Sequence, residues 1–287
     1  MNLCCEAVAV SGKTVAGRAP GEQAALARWE DLQGLEVLTA DFCRHAFLPH
    51  FHDTYMLATV EEGRARMRHE GGLAEILPGS TVLLNPGALH DAEGIDSRQR
   101  WHYRVFFLTE AMLRPLSEKT HLAFRAPVSA DGPLWRRLMT LHRSLEERVT
   151  LLERSTALTR LLESLAPQVV GSVMDQDSLA PRVPLDRVRQ FLEAHWMDAV
   201  SLEELAEVAG LSRFHLLRIF RSRYGLAPHA FQLQLRVQHA KTMLFDGLPA
   251  KDAAVECGFF DQAHLTRTMR RYTGVTPGRI AAISSKP

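Results

Sequence analysis

At 287 residues, with 46% hydrophobic and 23% charged residues and a formal net charge of +1, the chain has the composition of a globular protein with room for two domains. Collagen-like, disordered and fibrous classes are excluded by that balance. Four cysteines, Cys4, Cys5, Cys43 and Cys257, include an adjacent pair and no C-x-x-C spacing, so neither a disulfide framework nor a zinc module is indicated and a reducing cytoplasm is expected.

The N-terminus lacks a basic region followed by an apolar run, and no window approaches the roughly 18 apolar residues of a membrane span, so no membrane partner is expected. Charge is divided unevenly: 14 Lys and Arg stand against 10 Asp and Glu from Pro184 onward, and 20 against 23 before it. A basic C-terminal end is compatible with a polyanionic partner, and equally with solvated surface charge.

In chain order, the first hundred residues read as short strands and turns. Residues 55–60, 81–85 and 101–108 are β-branched, apolar or aromatic, and Glu62-Gly63, Gly71-Gly72, Pro78-Gly79 and Pro86-Gly87 punctuate them. This spacing predicts a small β-sandwich or barrel over residues 1–125. After Asp131 the period changes: Leu134, Leu138, Leu141 and Leu145 fall at helical spacing, and Leu151, Leu152, Leu158, Leu161, Leu162 and Leu165 continue the stripe. Two antiparallel helices over 126–170 are expected, with a leucine surface that needs a partner in the β-domain or in a second subunit. Residues 171–184 have no periodicity and read as a linker.

From Leu185 the chain is predicted helical to its end, and it contains a repeat. Ala206 and Gly210 match Ala254 and Gly258 at an offset of 48, and His215, Leu216, Arg218, Arg221, Gly225 and Pro228 match His264, Leu265, Arg267, Arg270, Gly274 and Pro277 at an offset of 49. Each copy reads as a helix, a glycine turn, a capping residue (Ser212 or Asp261), a second helix and a Gly-x-x-Pro exit, the layout of a helix-turn-helix. Ser201 with Glu204 predicts a capping box. Between the copies, residues 230–245 predict a helix of 16 residues, about 24 Å long, a spacer suited to placing two helices in successive major grooves.

At these residues a family resemblance appears. The segment 185–283, with SLEELA, AGLS, HLLRIFR, GFFDQAHLTR and GVTPGR, resembles the DNA-binding domain of the AraC/XylS family of bacterial transcription regulators. Met269 and Ile280 stand where that family commonly has Phe and Tyr, both at expected core positions. The resemblance implies that the second helix of each copy enters the major groove. It assigns base reading to Arg213, Phe214, Leu217 and Arg218 in the first copy and to Gln262, Ala263, Thr266 and Arg267 in the second. Arg218 and Arg267 can pair bidentately with guanine and Gln262 with adenine, whereas Phe214 and Leu217 offer apolar contact such as a thymine methyl. Arg221 and Arg270, one turn on, are expected to meet phosphate. His215 and His264 each precede a core leucine and are read as packing or hydrogen-bonding groups, and Cys257 as a small packed residue beside the turn.

In the first domain, LPHFHDTYMLATVEEG precedes LPGSTVLLNPGALHDAEG. This pair is similar to the cupin-type sensor domain found ahead of many such DNA-binding domains, with an H-x-H element at His50 and His52 and a P-G-x-x-H element ending at His90. Three histidines invite a metal reading. Cupin enzymes add a glutamate four or five residues after the second histidine, where this chain has Met56 and Leu57, so the set is read without metal or cofactor, as the polar wall of an effector pocket formed by His50, His52, Tyr55 and His90. A metal site and purely structural histidines are the competing readings. Trp101, Tyr103 and Arg104 are expected to complete the pocket. Arg64, Arg66 and Arg68 alternate with Ala65, Met67 and His69 and read as a solvated strand face, with anion capture as the alternative.

These expectations amount to an α+β chain with a cupin-like β-barrel, a helical dimerisation segment and an all-α domain of two helix-turn-helix motifs. Its expected work is regulation of transcription, not catalysis: activation on double-stranded DNA as a homodimer, in contact with RNA polymerase, under a small polar effector such as an amino acid or other carboxylate. The alternatives are a cupin metal-binding protein or enzyme carrying a DNA-binding tail, and a regulator without an effector.

Overall fold

The computed structural model describes residues 22–69, 72–95, 100–116, 122–147, 149–171 and 182–283; Cys4, Cys5, Gly71 and most of the expected linker lie outside the described residues. The N-terminal domain begins with strands β1 (Gln23–Trp29), β2 (Leu35–Phe42), β3 (Tyr55–Glu62), β4 (Ala65–His69), β5 (Gly72–Ile76), β6 (Thr81–Leu84), β7 (His90–Gly94) and β8 (Trp101–Leu108). After it come the short helix α1 (Glu110–Leu113), strands β9 (Leu122–Phe124) and β10 (Val128–Ser129), helices α2 (Gly132–Glu146) and α3 (Leu151–Leu165), and β11 (Val169–Gly171), which pairs with β9. The larger sheet runs β10-β6-β3-β8-β2-β1, and β5-β4-β7 form a smaller one.

Strands β2, β3 and β8 are apolar along most of their length because both faces of the large sheet are covered. Side chains alternate across a strand. On one face Val37, Leu57, Phe106 and Leu108 pack with Leu134, Leu138, Leu141, Leu158, Leu161 and Leu165 of α2 and α3. On the other, Leu38, Met56, Ala58, Val105 and Phe107 meet Ala65 and Met67 of the small sheet. The leucine stripe thus finds its partner surface within its own chain, and Leu151 and Leu152 are what the helix pair leaves exposed. Both helices are capped as their sequences dictate: Asp131 accepts from Leu134 N, and Thr150 with Glu153 forms a capping box.

The C-terminal domain comprises α4 (Arg182–Ala194), α5 (Leu202–Ala209), α6 (Arg213–Tyr224), α7 (Pro228–Phe245), α8 (Ala250–Glu256) and α9 (Gln262–Thr273). Two helices start earlier than their sequences suggested, α4 at Arg182 instead of after Pro184 and α7 at Pro228 instead of Ala230. A proline is tolerated in a first helical turn because the N–H it lacks has no partner there anyway. The helical ending is corrected as well: Ile280–Ile283 forms β12, which pairs in parallel with β1 from Leu26↔Ile280 to Trp29↔Ile283. The β1 edge offers unpaired backbone groups, and the segment satisfies them as a strand. No described helix is long and apolar enough to cross a membrane.

The two domains meet along α7 and the end of α9. Gln234 of α7 donates to Pro49 O at 2.9 Å and accepts from Phe51 N at 3.2 Å, Gln238 donates to Phe51 O at 3.4 Å, and Leu48 N donates to Arg271 O at 3.3 Å. Phe51 packs on Phe231 with ring centroids 5.0 Å apart. Residues 48–52 are therefore gripped by the helical domain.

Candidate functional site

The repeated helices are built as the sequence specifies. Ser201 and Glu204 cap each other's backbone at the start of α5, Ser212 accepts from His215 N, and Asp261 accepts from His264 N at 2.6 Å. The turns hinge on Gly210 and Gly258, at φ of +65° and +67°, which side-chain-bearing residues rarely adopt. A Cβ at Gly258 would also sit 2.9 Å from Met197 O. Leu216 and Phe220 of α6, and Leu265, Thr268, Met269 and Tyr272 of α9, are buried. Cys257 is fully buried, and burial pushes its thiol up to about 11.

Arg213, Phe214, Arg218 and Arg221 on α6 and Gln262, Ala263, Arg267 and Arg270 on α9 are exposed, while Leu217 and Thr266 are half-buried. Phe214 is 82% exposed, an aromatic ring held in water. Thr266 donates its hydroxyl to Gln262 O at 2.8 Å. Two of the arginines are engaged. Arg213 pairs with Glu203 of α5, and Arg270 reaches Glu22, just ahead of β1, at 3.4 Å. Arg218, Arg221 and Arg267 make no ion pair with other described residues. His264 accepts from Phe260 N at 3.4 Å and packs edge-on against Phe259, whereas His215 is exposed.

Sequence reasoning missed Arg236 of α7. Its guanidinium donates to Trp196 O, Gly258 O, Met197 O and Asp198 O at 2.7–3.2 Å, tying the loop after α4 to the turn of the second motif. Gln232 adds bonds to His195 O and Asp198 O. Polar side chains at core-facing positions of a helix read as a spacer were the available signal.

Between the two sheets lies a cavity of about 100 Å³ that α7 and α9 close. His50, His52, His90, Trp101 and Tyr103 line it as expected. Tyr55 and Arg104 do not, and their assignment to the pocket is corrected. They lie one residue out of phase with Met56 and Tyr103, and alternation turns them to the opposite face of the sheet. There Tyr55 donates to Leu122 O at 2.7 Å, and Arg104 is paired with Glu61 and Glu146 at 2.8 and 3.2 Å. Most of the lining is apolar, including Met56, Val60, Met67, Val82 and Phe107. The sequence did not place Gln234, Gln238, Lys241 and Tyr272 at this cavity, since they come from the other domain. Lys241 reaches Glu36 at 2.8 Å. Arg64, Arg66 and Arg68 point to solvent and pair with Glu75, Glu93 and Asp91, as a solvated face would.

His50 and His90 face each other in an antiparallel bridge, exchanging backbone bonds of 2.8 and 2.9 Å. Their rings are 4.3 Å apart, and His52 stands 4.9 and 5.2 Å from them. Nδ1 of His50 lies 2.7 Å from Leu48 O and Nδ1 of His90 3.0 Å from Ala88 O, contacts that require the proton on Nδ1 and leave Nε2 as the acceptor. Burial drives all three imidazoles towards the neutral form, His50 and His52 well below the ordinary value and His90 to about 4; mutual repulsion among the rings adds to this for His50 and His52.

Comparison with known proteins agrees with this arrangement. An AraC-like ligand binding domain matches residues 32–162 and a helix-turn-helix domain residues 205–282. An uncharacterised HTH-type transcriptional regulator of Bacillus subtilis, YbfI, is 30% identical over 229 residues, 76% of this chain and 81% of that protein. The virulence regulon transcriptional activator VirF of Yersinia enterocolitica is 29% identical over 97 residues, 33% of this chain and 36% of that protein. The fold is also that of ToxT from Vibrio cholerae in a structure with an unsaturated fatty acid bound, with a TM-score of 0.51 and 14% identity, covering 85% of this chain and 93% of that one. Fold and site define a DNA-binding transcription regulator with a ligand-binding N-terminal domain. The chain belongs to the AraC/XylS family.

Proposed function

We propose that the chain is a transcription activator switched by a small, mainly apolar carboxylate that enters the cavity between the sheets. The observation that carries this is the composition of the cavity wall: the β-domain supplies one side and helices α7 and α9 of the DNA-binding domain the other. A molecule bound there touches both domains at once, so its binding energy can differ between domain arrangements, which is the requirement for control by a ligand. The lining favours a hydrocarbon or aromatic body over a sugar, and the Lys241 ammonium and the Tyr103 hydroxyl can receive an acidic end. A volume of about 100 Å³ suits a body near the size of a benzene ring, and a long acyl chain would need the cavity to open. The fatty acid in the ToxT structure supports an acidic amphiphile in this fold. The name of VirF supports activation, over the DNA-binding third of the chain alone.

On DNA, α6 and α9 enter successive major grooves. Arg213, Phe214, Leu217, Arg218, Gln262, Ala263, Thr266 and Arg267 face the bases, while Arg221 and Arg270 face phosphates. The protein works in the cytoplasm as a homodimer, with Leu151 and Leu152 available at the subunit contact, and engages RNA polymerase when activated. Thermal-shift measurement across short-chain and aromatic carboxylates tests the effector, with hits re-measured for their effect on affinity for DNA fragments that the protein enriches from its own genome. At least one carboxylate should raise the melting temperature and change DNA affinity in wild type but not in Lys241→Met. Ligands that stabilise both proteins equally and leave DNA binding unchanged would refute the reading.

A further inference from the structure

We infer that Phe260, the residue by which the turn of the second helix-turn-helix exceeds that of the first, reads DNA by packing on a thymine methyl. This role rests on the proposed entry of α9 into a major groove and adds to it a contact that has no counterpart in the repeat. Gly210 and Gly258 match at an offset of 48 and the caps Ser212 and Asp261 at 49, so one residue is added between them. Leu211 of the first turn corresponds to Phe259, and both pack into the core of their own unit. The first unit closes its turn without a match for Phe260, so the framework does not need one.

The Phe260 ring is 91% exposed, more than any other large apolar side chain among the described residues, and Phe214 follows at 82%. Both stand at the opening of a reading helix. Phe214 is the second residue of α6, and the matched position in α9 is Ala263. The second unit thus lacks the aromatic where the first has it, and carries one three residues earlier, ahead of the cap. Single exposed apolar residues are ordinary on a surface. Two rings at the same end of duplicated helices, supplied from non-equivalent positions, point instead to a shared task.

The ring is also held in place. Phe260 N donates to His264 Nδ1 at 3.4 Å, and the next residue, Asp261, accepts from His264 N at 2.6 Å. His264 in turn packs edge-on against the buried Phe259. With the backbone tied on both sides, docking of the ring costs little ordering, and His264 acts as its positioning residue. His215, the equivalent in the first unit, has no added residue to hold and is exposed. Gln262 and Arg267, exposed on the same unit, offer hydrogen bonds to base edges. A phenyl ring offers none and carries no charge for phosphate, and the apolar group that the major groove displays is the thymine methyl.

Anisotropy titrations of the full chain test this on a duplex that the protein enriches from its own genome. Thymines in the half bound by α9 are replaced one at a time by deoxyuridine, which removes only the methyl. One replacement should weaken wild type about fourfold and leave Phe260→Ala unaffected, while Phe214→Ala should remain as sensitive as wild type. On the unmodified duplex Phe260→Ala should lose about tenfold, with an unchanged melting temperature because the ring is exposed. His264→Leu should show part of that loss, His264→Asn should restore it by supplying an acceptor near Nδ1, and neither should matter once residue 260 is alanine. Arg267→Ala on the same duplexes separates two failures. If it binds like wild type, α9 does not read the groove and the role of Phe260 falls with that reading; if it binds weakly while Phe260→Ala binds like wild type, the role of Phe260 alone falls. Equal loss for Phe260→Ala on every duplex, with no thymine sensitive to uridine, would put the ring on deoxyribose and overturn base reading. Full DNA affinity with loss of transcription from a reporter would give the ring to a protein partner and overturn it as well.

Discussion

The two helix-turn-helix units share a framework and differ in what surrounds it. Matched residues at an offset of 49 give both second helices a side-chain cap, Ser212 or Asp261, the same buried leucine and the same exposed arginines, while the outer face is apolar in α6 at Phe214 and Leu217 and polar in α9 at Gln262 and Thr266. Their neighbours differ too. Arg213 of α6 is held by its own unit through Glu203, whereas Arg270 of α9 is held by the β-domain through Glu22. Duplication thus preserves what makes a helix stand, and divergence is confined to the faces and to the contacts with the rest of the chain.

The largest effects are expected in the two cores. Leu216 and Leu265 are equivalent and fully buried, so Leu216→Ala and Leu265→Ala should each cost about 2 to 5 kcal/mol in urea denaturation. The comparison is sharpened by asking which unit melts. Each variant should first lose hydrogen-exchange protection in its own unit, and simultaneous loss in both would mean that Arg236 and α7 fuse them into one cooperative block.

Acid should weaken the β-domain selectively. A histidine held neutral in the fold but free to protonate when unfolded gives the unfolded state more bound protons, so stability falls with pH. For His90 the window opens near the unfolded value of about 6.5 and continues down to its folded value of about 4, a loss of about 3 kcal/mol at full titration. His50 and His52 act in the same direction. Melting temperature followed from pH 7 to pH 5 should drop in wild type and drop less in His90→Gln; equal slopes would mean that His90 is not buried as a neutral ring.

DNA binding should separate the units by chemistry. Arg267→Ala is expected to cost about 1 to 3 kcal/mol on the preferred site and to relax preference at one base, and Arg218→Ala should do the same at another. Phe214→Ala removes only apolar contact, so its loss should be smaller and confined to sites with a thymine at that position. Anisotropy titrations on preferred and scrambled duplexes check both, and an equal loss on the two duplexes would remove the distinction between reading faces.

Much of this was legible in the chain because the carriers were local. Caps such as Ser201, Ser212 and Asp261, glycine turns and leucine stripes act over a few residues, and strands flanked by Pro-Gly and Gly-Gly pairs announce themselves. What escaped was long-range. Tyr55 and Arg104 sit in strands that are apolar on both faces, where alternation is erased and the sequence gives no sign of which face a residue occupies. Gln234, Gln238 and Lys241 reach the cavity from a helix whose sequence reads as a spacer, and β12 exists only because the β1 edge is there to receive it. The histidine cluster was half legible: the spacing of His50, His52 and His90 brought them together, but the anchoring of Nδ1 by Leu48 and Ala88 carbonyls is a tertiary fact.

The smallest expected effect bears most directly on the difference between the units. Arg270 and Glu22 form an exposed pair, with side chains 52% and 22% accessible, worth between nothing and about 1 kcal/mol in water. If Arg270 serves as a phosphate contact, Glu22 competes with DNA for it, and Glu22→Gln should tighten binding to all duplexes by up to about fivefold at low salt, an advantage that fades as salt screens both interactions. Arg221, the matched residue in the first unit, has no carboxylate partner among the described residues and supplies the control. Arg221→Ala should weaken binding alike with Glu22 present or replaced, while Arg270→Ala should cost more in the Glu22→Gln background, because only there is the guanidinium wholly free for phosphate. Additive losses for both arginines would remove Glu22 from any role in DNA binding and leave the two units distinguished by their reading faces alone.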